Sequence, residues 1–191
     1  MGFWDALLGR TKPVEANLDV LFAVPSALVA LQASLGLEPT GTGGVCFKTA
    51  EGALAAQARE EAIALVDADH GEEPATCLRD SYGYDWIVLH RSPDDPADLV
   101  TDLHAVNSTL QGFGFGPSLL CTVIGLHRPD GSRRAGLVYL FKRGTFYPFA
   151  QTGPHTRDNE LELRIRARLE GELPVESDLT RWFPIWDAPA L

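Results

Sequence analysis

Two pairs of strand-like segments, each joined by a connection too short for a parallel crossover, constrain this chain more than any other feature. Residues 75–80 and 84–91 favour β structure, the second reading YDWIVLHR, and only Ser81-Tyr82-Gly83 separates them. Residues 118–127 and 135–143 read as two longer strands around Pro129-Asp130-Gly131-Ser132, a strong turn signal. A parallel return needs roughly a dozen residues or more, so both pairs must be antiparallel hairpins. A helix precedes each one. Residues 51–68 are rich in Ala, Glu, Gln and Leu, and Asp94-Asp95-Pro96 opens a second helical segment that runs to about Leu110. This helix–hairpin–helix–hairpin order predicts an α+β fold. Its antiparallel sheet would have about five strands, the fifth being Val45–Lys48, with helices packed on it.

The ends of the chain attach to this centre. Residues 2–9 (GFWDALLG) predict a short amphipathic helix over about 1–12, with Phe3, Trp4, Leu7 and Leu8 on one face. A single domain then spans 17–191. Asn17 is placed to cap a helix carrying Leu18, Leu21 and Phe22. Pro25-Ser26 is expected to interrupt it before a further helix, striped by Leu28, Leu31 and Leu35, ends at Gly36. EPTGTGG at 38–44 reads as a turn-rich loop. ELELRIRARLE at 160–170 alternates like a strand, yet Leu161, Ile165 and Leu169 also form a helical stripe and Glu162 can pair with Arg166, so a helix is expected. A short helix capped by Ser177 or Asp178 should follow. Trp182, Phe183, Ile185 and Trp186 should then pack back onto the body.

Charge excludes one class of partner. The net charge is −10, and residues 1–100 hold 6 Lys+Arg against 16 Asp+Glu, while residues 101–191 hold 10 of each. Such a chain is repelled by a polyanion unless it carries a basic stripe. Arg133-Arg134 and Lys142-Arg143 are only short pairs, so no nucleic-acid partner is expected. Cys46, Cys77 and Cys121 sit apart in apolar stretches and read as buried free thiols of a reducing compartment. No apolar run approaches the ~20 residues of a bilayer span. No signal peptide is recognisable, and Ala6 breaks the myristoylation pattern begun by Met1-Gly2.

No catalytic, cofactor or metal motif survives inspection. Gly41-Thr42-Gly43-Gly44 lacks the Gly-Lys-Ser/Thr ending of a phosphate loop and precedes a strand rather than a helix. Asp67, Asp69 and Gly71 miss the glycine offset and the closing glutamate of a calcium loop. None of His70, His90, His104, His127 and His155 has a second ligand at zinc spacing. His104 lies three residues before Asn107 on one helix. These two with Tyr147 are the only candidates for an enzyme site, which a closed polar pocket around a perturbed histidine would favour. The aromatic cluster Phe146, Tyr147 and Phe149, with Trp182 and Trp186, reads instead as a sheet seal or a peptide-docking surface. The N-terminal segment, basic through Arg10 and Lys12, could make a weak membrane contact.

GFWDALLGR near the start, VTDLHAVNSTL at 100–110, GFGPSLLC at 114–121, GLVYLFKRGTFYPF at 136–149 and RWFPIW at 181–186 together resemble the PspA-associated protein family of the PspAB type. The resemblance implies a small cytoplasmic protein of actinobacteria and archaea, set in the phage-shock membrane-stress system beside PspA and the membrane protease HtpX. It also implies a shape similar to the secretion-chaperone-like fold of YbjN-type proteins, and it carries no catalytic residues. The expectation is therefore a non-enzymatic adaptor or chaperone-like regulator, cytoplasmic and peripheral at the inner face of the membrane. The alternatives are a membrane-associated sensor and an enzyme.

Overall fold

The computed structural model describes residues 16–48, 50–68 and 73–191. The helix expected over 2–9, with Phe3, Trp4, Leu7 and Leu8, lies outside these residues, as does His70. Four α-helices and seven strands are present among the described residues. A 3-10 turn, Leu18–Ala23, leads into α1 (Val24–Leu35), followed by β1 (Glu38–Lys48), α2 (Ala53–Asp67), β2 (Thr76–Arg79) and β3 (Tyr84–His90). Then come α3 (Pro96–Leu110), β4 (Leu119–His127), β5 (Arg134–Leu140), β6 (Thr145–Gly153), β7 (Thr156–Arg157) and α4 (Asn159–Leu169). The strands form one antiparallel sheet in the order β2-β3-β1-β4-β5-β6-β7. The α+β class and both hairpins are as the short connections require.

The sheet has seven strands rather than five because β6 and β7 were hidden. GTFYPF is not a cluster after a strand but the start of one. Its proline disguised it, since proline cannot donate to a ladder. Pro148 pairs with Leu137 on one side. Its other side lies between Phe146, where Phe146 N donates to Pro174 O (2.8 Å) and Glu176 N to Phe146 O (2.7 Å), and Gln151, where β7 begins to pair.

β1 is also longer than expected, because Glu38–Gly44 is strand, bulged between Pro39 and Gly43. Its glycines mark crowding rather than a turn. A Cβ on Gly43 would lie 2.8 Å from Leu103 Cδ1 of α3, and one on Gly44 3.2 Å from Trp86 on the opposite face. Pro25 does not break the N-terminal helix, because it sits in the first turn of α1, where a missing N–H costs nothing. Leu18–Leu35 thereby becomes an 18-residue helical stretch long and apolar enough to cross a membrane, which counting apolar runs had missed. Here its Leu21, Val24, Ala27, Leu28 and Leu31 are buried in the core. Asn17 makes no side-chain cap, and its carbonyl accepts from Tyr139 Oη (2.9 Å) instead.

α4 is the helix that the Leu161/Ile165/Leu169 stripe predicts, capped by Asp158, which accepts from Leu161 N (3.1 Å). The expected Glu162–Arg166 pair does not form. Arg166 bonds Glu170 (3.1 Å), and Glu162 is buried.

The helices cover one face of the sheet, burying Val45, Ile87, Leu137, Tyr139 and Phe146. Arg91 holds them together. It donates from Nε to Asp102 of α3 (2.6 Å), from Nη2 to Val66 O near the end of α2 (3.1 Å), and from Nη1 to Glu73 O (3.1 Å) and His90 O (2.7 Å). Among the described residues no α-helix covers the other face, and the short helix expected after Ser177 or Asp178 is a 3-10 turn, Leu179–Arg181, capped by Asp178, which accepts from Thr180 N (3.0 Å). Cys46, Trp86, Val123, Val138, Tyr147 and Phe149 are covered there by residues 182–191.

Candidate functional site

The period-two alternation of strands sorts the candidate residues. Along β6, Phe146 points to the helix face, where its ring tilts against Tyr139 at 5.1 Å, while Tyr147 and Phe149 point to the other face. Tyr147, Phe149, Trp182 and Trp186 thus come together, and Phe146 does not join them. His104 and Asn107 lie on α3, across the sheet from Tyr147. Asn107 is fully buried and donates to Leu103 O (2.8 Å) and Thr122 Oγ1 (2.8 Å). His104 is partnered not by Asn107 but by Ser108 (3.4 Å) and Asp19 (3.6 Å), with Phe22 against its ring at 4.7 Å. The three-residue site near His104, Asn107 and Tyr147 is not formed.

Residues 176–191 make a strap over the second face, and its anchors are specific. Trp182 is buried, stacks on Tyr147 (6.1 Å) and donates from Nε1 to Glu176 O (3.0 Å). Tyr147 Oη donates to Phe183 O (2.8 Å), and burial holds this phenol well above its ordinary pKa, so it stays a neutral donor. Trp186 meets the edge of Phe149 at 5.1 Å. Arg157 Nη1 donates to Trp182 O (2.6 Å), its Nε to Glu162 (2.9 Å), and its guanidinium lies 5.4 Å from the Phe149 ring. Glu162 also accepts from Ala150 N (2.9 Å), so one buried carboxylate joins α4, the sheet and the strap. The strap's last residues lie over a lane without side chains. Gly125 and Gly136 pair directly, and a Cβ on them would stand 2.5 Å from Ala190 O and 2.7 Å from Leu191 Cδ2. Phe183 does not pack back as expected, and is 58% exposed.

Between strap and sheet opens a groove of about 660 Å³. Cys46 and Cys121, which pair directly across β1 and β4, line it together with Trp86, Leu120, Leu140 and Ile185. The Cys46 thiol is held neutral by its hydrogen bond with Cys121 and by burial. Cys77 is exposed rather than buried. Tyr82, 54% exposed, and Phe183 stand at the groove with Lys142, Arg143 and Arg181. Arg143 donates to Glu176, which also accepts from Thr145 Oγ1 (3.0 Å) and Asp178 N (3.0 Å). Asp80, also lining the groove, accepts from Tyr82 N, Tyr84 N and Trp86 Nε1, each at 2.9 Å.

The family model of PspAB, PspA associated protein B, matches residues 1–190. The chain belongs to this family. No curated protein and no solved structure matches it. The PspAB match takes in every element described, including strap and groove. Of the residues that build this site, the sequence pointed to Tyr147, Phe149, Trp182 and Trp186. It gave no sign of Arg157, Glu162 or Lys142 as site members, because those roles depend on which strands become neighbours. The paired Gly125 and Gly136 carried a signal, two glycines inside strands flanking one turn, that marks close approach of another backbone.

Proposed function

We propose that this PspAB chain is a non-enzymatic, chaperone-like adaptor in a PspA-linked membrane-stress response, and that it acts by binding protein. The family name supports an association with a PspA-type protein. The observation that carries the mode of action is the groove beneath the strap, an apolar surface with Tyr82 and Phe183 exposed at it. Large apolar side chains gathered on a surface mark contact sites. An HtpX-type membrane protease is the second partner of this reading, and the chain works in the cytoplasm at the inner membrane face. The test is co-purification of a tagged chain with the purified PspA-type protein. The wild type should retain it, and Leu140→Arg, which blocks the groove, should lose it while keeping the same circular dichroism. Retention of PspA by neither form, or equally by both, overturns the proposal.

A second observation favours membrane contact. Residues 20–37 carry no charge, and Phe22 and Val29 stand exposed on this helical stretch. Flotation with liposomes should weaken when residues 1–12 are deleted, and further in Phe22→Ser/Val29→Ser. Equal flotation of all forms removes the membrane reading.

A further inference from the structure

We propose that the groove binds the acyl chain of a free long-chain fatty acid, with the carboxylate held at its cationic mouth. The inference rests on the reading of this groove as the working surface and names what fills its floor. Three observations carry it.

The first is size. About 660 Å³ lies within the range of small-molecule sites, roughly 300–1,000 Å³. The second is the chemistry of the walls. Three of the polar groups facing the groove are used by the fold: Tyr147 Oη donates to Phe183 O, Trp86 Nε1 donates to Asp80, and Asp80 accepts from three donors, while Tyr82, Tyr84 and Trp186 also line it. The two free thiols on its floor lie opposite each other on β1 and β4. An occupant of the interior therefore meets mostly carbon and sulfur and gains little from polar atoms of its own, whereas a methylene chain loses only water.

The third is charge. On a chain of net −10, three cations, Lys142, Arg143 and Arg181, line this opening against one lining carboxylate, Asp80. Arg143 and Arg181 are each about half exposed, and each meets its carboxylate, Glu176 and Asp178, through Nε. Lys142 is exposed and has no ion pair among the described residues. The Nη groups of the two arginines and the Lys142 ammonium can thus face an anion, and a guanidinium suits a carboxylate. A chain with an apolar body and one negative end satisfies both zones. When loaded, it would lie beneath the strap and the exposed Phe183, so that the surface offered to a protein partner reports whether lipid is present.

Trp86 and Trp186 line the groove, so binding can be read by quenching. The full-length chain is titrated with a dibrominated stearate below its micelle concentration. The expected result is saturable quenching at one ligand per chain. Competition by decanoate, dodecanoate and tetradecanoate should strengthen roughly fourfold per added methylene. Methyl esters should bind several-fold more weakly than the acids, and Lys142→Glu should narrow that gap. Leu140→Trp, with unchanged circular dichroism, should abolish saturable quenching. Unsaturable quenching, equal quenching of Leu140→Trp, or equal binding of acid and ester overturns the proposal. Saturation seen only after removal of residues 1–12 overturns it too, because the occupant would then be the chain's own N-terminal segment. Absence of fatty-acid binding with groove-dependent PspA capture intact would sink this inference and leave the adaptor reading standing.

Discussion

Glu176 concentrates the chemistry of the strap in one side chain. Burial alone would raise its pKa, but the Arg143 guanidinium, the Asp178 N–H and the Thr145 hydroxyl favour the carboxylate more, and the net effect holds it below the ordinary glutamate value of 4.5. A group depressed in the folded state contributes stability above its unfolded pKa and loses it as pH falls through the folded one. Glu176→Gln should therefore lower Tm most near neutral pH. The difference from wild type should shrink below about pH 4.5, as followed by thermal melts across a pH series. Arg91 plays the corresponding part on the helix face, where four hydrogen bonds from its guanidinium tie α2, α3 and residue 73 together. Arg91→Ala removes the Nε bond to Asp102 together with the donors to Val66 O and Glu73 O. The loss should be about 3–5 kcal/mol in chemical unfolding.

Among the elements, the strap is held least redundantly. The helix face is secured by four helices, whereas residues 182–191 depend on Trp182, the Arg157 bond to Trp182 O, the Tyr147 bond to Phe183 O, the Trp186–Phe149 contact and the glycine lane. Gly125→Val tests this directly. Its side chain would collide with Ala190 O and Thr40 Oγ1, both within 2.5 Å of a Cβ. Hydrogen exchange at the amides of 186–191 should accelerate at least tenfold, while α3 and β4 away from the site stay protected, and the overall melt should shift little. Unchanged exchange at 186–191 would mean that the strap does not rest on the lane.

At the scale of the whole molecule, the sequence disclosed whatever depends on local periodicity and turn length. Ser81-Tyr82-Gly83 and Pro129-Asp130-Gly131-Ser132 dictated two hairpins, and Leu161, Ile165 and Leu169 dictated a helix where alternation argued otherwise. The failures came where tertiary contact overrides local preference. Glu38–Gly44 is strand because Leu99 and Leu103 on one side and Trp86 on the other need the room that glycine leaves. Thr145–Gly153 is strand despite Pro148, because that proline faces a stretch of the β6 edge that has no ladder partner. The aromatic half of the site was legible as a cluster. The cationic half was not, since Lys142, Arg143 and Arg181 meet only when the strap crosses the β5–β6 turn.

The position of β1 has a consequence in time as well as space. It is the first of the described strands to leave the ribosome and an interior one of the finished sheet, yet its partners are Tyr84–His90 and Leu119–His127. Synthesis proceeds at about 5–20 residues per second, so both edges of β1 stay bare for seconds until β3 emerges, and the other edge stays bare longer still until β4 does. A bare, apolar, β-favouring strand of that length would be a template for aggregation. The run of glycines through Gly41, Gly43 and Gly44 makes β1 a poor one. The same residues that let α3 and Trp86 press against the finished strand keep the nascent chain soluble while it waits.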